Sequence, residues 1–98
     1  SKKEARRWAE LYAMEQRGEI SNLRTQVKFV LVPTQREPDV IGPKGGITPG
    51  KVLEKEAAYI ADFVYTENGV EIVEDSKDVY RLKRKLMRYF YGIAIRET

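Results

Sequence analysis

The sequence contains neither cysteine nor histidine among its 98 residues. Without cysteine no disulfide framework can form, which fits a reducing compartment. Without either residue, the chain cannot build a Ser-His-Asp or Cys-His catalytic group, a histidine-bound metal or a structural zinc site. Any hydrolytic chemistry must therefore use carboxylates, lysine, tyrosine or a hard metal ion held by oxygen ligands.

Long apolar runs are also missing. No segment approaches the roughly 20 residues that span a bilayer, and the N-terminus does not read as a signal peptide. Hydrophobic residues make up 42% of the chain and charged residues 34%, which predicts one soluble globular domain over residues 1–98. The net charge of +3 favours a nucleic-acid partner, although only mildly.

Two amphipathic helices are predicted from the spacing of apolar residues. Ser1 can cap a first helix over residues 2–17, Glu4 can complete a capping box, and Gly18 can end the helix. A second helix is predicted over residues 79–91, with Gly92 as its stop. Its predicted apolar stripe consists of Val79, Leu82, Leu86, Met87 and Phe90.

Strand-forming runs occupy residues 23–32, 55–66, 70–77 and 93–95. Asn68 and Gly69 lie between the second and third runs and predict a type I′ hairpin turn. Residues 33–50 hold all four prolines and predict a long, flexible loop. The predicted fold is α/β, in the order α-β-β-β-α-β, with a small mixed sheet flanked by helices.

The predicted hairpin brings together residues with catalytic chemistry. If Glu67 faces Val70, then Asp62 lies opposite Asp75, and Lys77 lies on the same sheet face while Glu74 points to the other. Paired carboxylates across a ladder repel each other, and a bound divalent cation would relieve that repulsion. Lys77 could orient or deprotonate a water molecule, or offset charge on a phosphate. Alternatively, the hairpin slips by one residue, or these residues form a solvated surface cluster.

The hairpin carries Asp62 on one strand and Asp75-Ser76-Lys77 on the next. This arrangement resembles the PD-(D/E)XK, or restriction-endonuclease-like, nuclease superfamily. The chain resembles still more closely an uncharacterised phage-encoded family related to that superfamily. The matching segments are residues 1–7, 26–29, 59–65, 73–77 and 80–86. Two positions depart from the pattern, because Ala61 replaces the proline and Asp78 stands where glycine is expected.

The resemblance implies a restriction-endonuclease-like core and a site in which Asp62 and Asp75 bind Mg²⁺ or Mn²⁺. It implies that the Ser76 backbone carbonyl adds a metal ligand, that Lys77 is the catalytic lysine, and that Glu4 is an acid contributed by the first helix. Glu4 has a second interpretation, in which it serves only the capping box. Gln26 matches a family glutamine and either lines the site or is an ordinary polar strand residue.

Basic residues on both helices have two interpretations. They are either solvated charges or contacts to the phosphate backbone of nucleic acid. The candidates for nucleic-acid contact are Lys2, Lys3, Arg6, Arg7, Arg81, Arg84, Lys85 and Arg88, and the polar residue Gln26 is a further candidate.

The expected function is that of a metal-dependent phage endonuclease that hydrolyses DNA phosphodiesters in the cytoplasm of a bacterial host. A Holliday junction is the first substrate to consider, because small dimeric members of the superfamily resolve such junctions. We also expect a homodimer, no membrane partner and no small-molecule cofactor. The alternative is a non-catalytic module that has a nuclease-like fold and binds nucleic acid without cutting it.

Overall fold

The structure is a computed structural model that describes residues 1–98. Its elements, in chain order, are α1 (Lys2–Gln16), β1 (Ser21–Val32), β2 (Gln35–Arg36), β3 (Val40–Ile41), β4 (Ile47–Thr48), β5 (Val52–Glu54), β6 (Ala57–Glu67), β7 (Val70–Asp75), α2 (Arg81–Tyr91) and β8 (Arg96–Glu97). The main sheet has the order β1-β6-β7-β8, in which only the β7–β8 pair is parallel. The fold is therefore α/β, with two helices and a mixed sheet.

Both helices begin and end close to where the sequence predicts. The Ser1 hydroxyl accepts a hydrogen bond from the Glu4 backbone N–H at 3.2 Å, which caps α1. Gly18, with φ of +77°, follows the end of α1, and Gly92, with φ of +66°, caps α2 in the left-handed conformation. Glycine adopts this left-handed conformation at the lowest cost in free energy, because it has no Cβ to clash.

The β6–β7 hairpin has the predicted register. Asn68 and Gly69 have φ values of +51° and +78°, as a type I′ turn requires. The ladder runs from Glu67 opposite Val70 to Phe63 opposite Glu74. Asp62 and Asp75 are the next residues along their strands, so the hairpin brings them next to each other.

The core consists of two apolar clusters on opposite faces of the sheet. Leu11 of α1 packs with Phe63 and Tyr65, whereas Met87 of α2 packs with Val64 and Val73. Because neighbouring residues of β6 point to opposite faces, α1 and α2 cover different faces of the sheet. The catalytic candidates therefore lie in a sheet that is enclosed between two helices.

Two strand predictions need correction. Residues 33–50 were expected to be a loop, but they form part of two short antiparallel pairs, β2 with β5 and β3 with β4. Prolines and glycines limit each strand to two or three residues, which is too short for a period-two pattern to be visible. The last strand was expected at residues 93–95 but is β8, which follows Ile93 and Ile95; these two side chains pack against the core.

The predicted apolar stripe of α2 is only partly buried. Val79 and Met87 are buried and Leu86 packs against the core, but Leu82 and Phe90 are more than half exposed. The helix is only eleven residues long and covers one end of the sheet, so part of its apolar surface has no partner within the chain. Neither α1 nor α2 combines the length and apolar character that would carry a helix across a membrane.

Candidate active site

The hairpin places two buried carboxylates side by side. Asp62 is 2% exposed and Asp75 is 0% exposed, although an isolated buried charge is costly. Each carboxylate is held by its own hydrogen-bond donors, and no buried side-chain polar atom in the chain lacks a partner. The alternative of two solvated surface carboxylates is therefore wrong.

Ser76 fixes the position of Asp62. The Ser76 backbone N–H and hydroxyl both donate to Asp62 Oδ2, at 3.0 and 2.7 Å. Burial opposes ionisation of Asp62, but these hydrogen bonds outweigh burial and lower its pKa to about 2. Asp62 is consequently a carboxylate at neutral pH, and its other oxygen, Oδ1, has no donor nearer than 3.5 Å.

Asp75 is held by a residue that the sequence did not single out. The Tyr59 hydroxyl donates to Asp75 Oδ2 at 2.7 Å, and the Lys77 backbone N–H donates to Asp75 Oδ1 at 3.1 Å. Burial raises the pKa of Asp75, and the neighbouring Asp62 raises it further, against the opposing effect of the Tyr59 hydrogen bond. The two acids thus differ in proton affinity, with Asp75 the one that takes up a proton more readily.

Lys77 lies beside the carboxylates but beyond the strand on which it was predicted. β7 ends at Asp75, because the next backbone N–H, that of Ser76, donates to Asp62 instead of to a strand partner. The Lys77 side chain is exposed and forms none of the ion pairs in the structure. It lines a concave surface of about 320 Å³ together with Tyr59 and Asp75.

Glu4 reaches the site from α1. Gln26 Nε2 lies 3.5 Å from both Glu4 Oε1 and Asp62 Oδ1, so it bridges the helix acid and the strand acid. Contact with Asp62 raises the pKa of Glu4, and the charge of Lys77 opposes that shift. The structure thus brings Glu4 and Gln26 to the carboxylate pair, while the Glu4 backbone still serves the helix cap.

The sheet departs from simple strand geometry near Asp62, although β6 is continuous and its pairing with β1 does not shift there. Tyr59, Ala61 and Val64 share one core cluster, although strict alternation would put Ala61 and Val64 on opposite faces. Gln26, which faces this point from β1, has a φ of +52°, in the left-handed region that non-glycine residues rarely adopt. Such outliers concentrate at functional sites. Alternation alone could not have predicted either feature.

The predicted basic residues fall into separate groups. Lys3, Arg6 and Arg7 line one concave surface near Thr98. A larger one, of about 500 Å³, is lined by the basic side chains of α2 and by the segment that follows it. We call it the α2 groove, and its residues are Arg81, Arg84, Lys85, Arg88, Ala94 and Ile95. Lys2 is exposed and lines neither surface.

Arg7 does not serve as the predicted free contact to nucleic acid. Its guanidinium donates from Nε to Glu74 Oε2 at 2.7 Å and from a terminal nitrogen to Glu74 Oε1 at 2.9 Å. Glu74 is fully buried on the face opposite Asp75 and also accepts from the Tyr65 hydroxyl at 2.6 Å. The sequence indicates Glu74 as a charged residue inside a strand. It does not indicate that Arg7 of α1 is the partner of Glu74.

No three carboxylates of the chain, in their present arrangement, are grouped closely enough to hold a metal ion by themselves. Mg²⁺ does not need such a group, because it is typically bound by one or two carboxylates together with water and substrate phosphate. Asp62 and Asp75 supply two buried carboxylates and Asp62 Oδ1 is weakly engaged. The donor chemistry therefore fits a hard divalent cation.

Comparison with known proteins assigns a family. The family model described as "Protein of unknown function (DUF1064)" matches residues 1–96. The chain belongs to this family. All the residues of the carboxylate site lie inside the matched region. No curated protein and no solved structure matches the chain.

Proposed function

We propose that this member of the DUF1064 family is a metal-dependent endonuclease that hydrolyses DNA phosphodiester bonds. The observation that carries the proposal is the adjacency of two buried carboxylates, Asp62 and Asp75, with the exposed Lys77 on the same concave surface as Asp75. Two like charges next to each other destabilise a fold, so a functional role would explain why the pair is present. Perturbed carboxylates at the edge of a concave surface are characteristic of catalytic sites.

Asp62 and Asp75 are the side chains that would hold the metal. Asp62 remains ionised because Ser76 donates two hydrogen bonds to it, and Asp75 is oriented by Tyr59. Glu4 would add a further oxygen ligand from α1. In the structure the N–H and hydroxyl of Ser76 orient Asp62. We propose that the Ser76 backbone carbonyl is in addition a metal ligand.

A bound divalent cation would polarise the scissile phosphate and lower the pKa of water, as in other hydrolytic metal sites. Lys77 would stabilise the negative charge that develops on the phosphate, because its ammonium is exposed and has no carboxylate partner. Gln26, between Glu4 and Asp62, would keep the helix acid directed at the site. Lys77 and Gln26, which lie near the carboxylate pair, thus each have a proposed role.

DNA would be held largely through its phosphates. The α2 groove gathers four cations, of which only Arg84 has a carboxylate partner, Glu97, at 3.1 Å. α2 begins at Arg81, six residues after Asp75, so the groove and the site are linked by a short connection. Lys3 and Arg6 of α1 would add contacts near the helix acid, and Lys2 adds charge at the same end. Because such contacts release counterions, binding should weaken steeply as salt rises.

The proposed relationship is to the PD-(D/E)XK superfamily, with a restriction-endonuclease-like core and a phage source. When the four short strands β2 to β5 are left out, the elements follow the order α1, β1, β6, β7, α2, β8, and this α-β-β-β-α-β order supports the relationship. The relationship is also supported by the position of Asp62 and Asp75 on adjacent strands and of Glu4 on the first helix. By this relationship, branched DNA such as a Holliday junction is the first substrate to test.

A non-catalytic nucleic-acid-binding module is the competing proposal, and one observation favours it. Asp62 Oδ2 already accepts two hydrogen bonds, and no group of three carboxylates is assembled. A protein of this kind would bind DNA through the α2 groove and would leave it intact. The two proposals differ in whether the phosphodiester bond breaks.

Cleavage of labelled junction, flap, single-stranded and duplex DNA separates these proposals. The wild-type protein is assayed with Mg²⁺ or Mn²⁺ beside Asp75→Ala and Lys77→Ala. We expect wild type to cut at least one substrate and each variant to be slower by about 100-fold or more, as is usual when a catalytic group is removed. Salt-sensitive binding without cutting of any substrate would support the binding module.

Matched controls remove the same charges elsewhere. Glu71→Ala removes an exposed carboxylate from β7, and Lys51→Ala removes an exposed ammonium next to β5. Both should cut at the wild-type rate. Equal loss in Glu71→Ala and Asp75→Ala would show that net charge, not the site, determines the activity.

A further inference from the structure

Residues 33–56, between β1 and β6, project from the body of the molecule. We call this segment the arm; it contains β2, β3, β4 and β5. The molecule measures 61 × 28 × 27 Å and its radius of gyration is 18.5 Å. A compact domain of about 100 residues has a radius of gyration of about 13 Å. An arm that extends this far has little of the chain's own surface to pack against.

The arm has a defined internal structure. The Glu37 backbone N–H donates to the Lys51 carbonyl at 2.8 Å, and the Gly50 backbone N–H donates to Asp39 Oδ1 at 3.1 Å. The Arg36 guanidinium donates to the Gly50 carbonyl at 3.0 Å. A Cβ at Gly50 would overlap the Glu37 carbonyl oxygen, so the close approach of the two backbones requires glycine there. These contacts hold the arm in one shape.

The tip of the arm is apolar and exposed. Ile41 of β3 pairs directly with Ile47 of β4, and these side chains are 75% and 69% exposed. Val40, Val52 and Leu53 are exposed along the same arm. A two-stranded ribbon alone is marginally stable in water, and grouped exposed apolar residues mark interaction surfaces. The arm therefore lacks a partner within its own chain.

Charge argues against nucleic acid as that partner. The arm has four basic residues and four acidic residues, so its net charge is zero, whereas α2 has five basic residues and none that is acidic. Affinity for nucleic acid comes mainly from neutralising phosphates. A neutral arm with an apolar tip instead fits a protein surface.

The same chain exposes an apolar surface on α2. Leu82, Tyr89 and Phe90 are each more than half exposed, and they lie within two turns on one side of the helix. This surface adjoins the α2 groove, because Leu82 shares a concave surface with Arg81 and Lys85. Tyr91, at the end of α2, donates its hydroxyl to the Val30 carbonyl at 2.8 Å, close to where β1 leads into the arm. The apolar surface of α2 thus begins near the base of the arm.

We propose that the arm docks on the apolar face of α2 in a second copy of this chain, reciprocally in both directions. Each copy carries one arm and one apolar helix face, so a two-fold dimer buries two of each. A specific interface buries roughly 1,200–2,000 Å², and the reciprocal pairing places four apolar surfaces, instead of two, in that interface. The proposal goes beyond the proposed cleavage chemistry and does not depend on it.

Sedimentation equilibrium of the full chain, without DNA or metal, tests the assembly. We expect a concentration-dependent dimer whose dissociation constant rises by about tenfold or more in Ile41→Asp and in Phe90→Asp. Val70→Asp is the matched control, because Val70 is similarly exposed but lies at the hairpin turn. A wild-type chain that stays monomeric at every concentration would overturn the proposal, as would a Phe90→Asp variant that dimerises like wild type.

Cross-linking locates the contact, and the absence of natural cysteine makes it specific. Ile41→Cys protein is mixed with Phe90→Cys protein under mild oxidation. We expect a disulfide between these two variants to form about ten times faster than one between Val70→Cys and Phe90→Cys. If Ile41→Cys protein instead links to itself faster than to Phe90→Cys, the arms pair with each other and the proposed docking site is wrong. Neither experiment depends on DNA cleavage, so failure here leaves the nuclease proposal standing.

Discussion

Asp75 is buried next to a second carboxylate, and this position costs the folded chain stability. Burial and the charge of Asp62 raise the pKa of Asp75, which means that folding disfavours its ionised form. Tyr59 and the Lys77 backbone N–H compensate only in part. A bound cation would relieve the electrostatic repulsion between Asp75 and Asp62.

The Asp75→Asn variant separates stability from metal binding. Without metal we expect it to unfold at or above the wild-type temperature, because the substitution removes the repulsion from Asp62. With Mg²⁺ at 100 times its dissociation constant, wild type should gain about 2.7 kcal/mol, while Asp75→Asn should gain little. Thermal unfolding of both proteins with and without Mg²⁺ measures this. A variant that gains as much as wild type would place the metal elsewhere.

Glu74 makes a second pH-dependent contribution on the other face of the sheet. Burial opposes its ionisation, but the Arg7 guanidinium and the Tyr65 hydroxyl outweigh burial and lower its pKa below the usual 4.5. A folded pKa below the unfolded value means that the stabilisation is complete above about pH 4.5 and is lost as the pH falls through the folded pKa.

We therefore expect Glu74→Gln to be less stable than wild type by about 3 kcal/mol at pH 7, because Arg7 is left without its buried partner. This difference should shrink as the pH is lowered from 4.5. Urea unfolding of both proteins across this range measures it. Glu71→Gln, at an exposed position of the same strand, is the control and should change stability by less than about 0.5 kcal/mol. A Glu74→Gln difference that does not vary with pH would contradict the assigned ion pair.

At the scale of elements, the regular parts of the fold could be predicted and the irregular parts could not. Asn68-Gly69 determines the turn, and the turn determines which residues of β6 and β7 are paired, so the adjacency of Asp62 and Asp75 followed from local sequence. The length of β7 could not be predicted from local sequence, because it depends on the hydrogen bond from Ser76 to Asp62. The left-handed conformation of Gln26 also depends on packing that one sequence does not encode locally.

The arm is the element whose prediction failed most clearly. Four prolines and several glycines predicted a loop, yet the backbone forms two short strand pairs held by side chains such as Asp39 and Arg36. Gly50 is the critical position, because a side chain there would collide with the Glu37 carbonyl.

Gly50→Ala should therefore disrupt the arm and spare the rest of the fold. Amide hydrogen exchange within residues 35–54 should accelerate by about tenfold or more, because the strand pairs open locally. Exchange in β6 and β7 should not change, since both core clusters lie outside the arm. Gly46→Ala, where a Cβ would meet no atom, is the control. Equal acceleration in the arm and the main sheet would show that the arm is part of the folding core.

At the scale of the whole molecule, the carboxylate site is separated in space from the exposed apolar residues. The enclosed sheet carries the carboxylate site, α2 carries both the basic groove and exposed apolar residues, and the arm carries the other exposed apolar residues. Composition predicted the basic balance and the single domain size, but it could not predict this division. The division depends on which side of each helix faces the sheet.

Metal-dependent cleavage by the carboxylate pair is the central claim, and a chelation and restoration time course tests it most directly. Wild type and Asp75→Asn are freed of metal with a chelator and mixed in excess with labelled junction DNA, and Mg²⁺ is then added back. We expect no cutting before Mg²⁺ is added, prompt cutting by wild type afterwards, and a rate for Asp75→Asn that is lower by about 100-fold or more. Cutting that is independent of Mg²⁺, or equally fast in both proteins, would contradict the central claim.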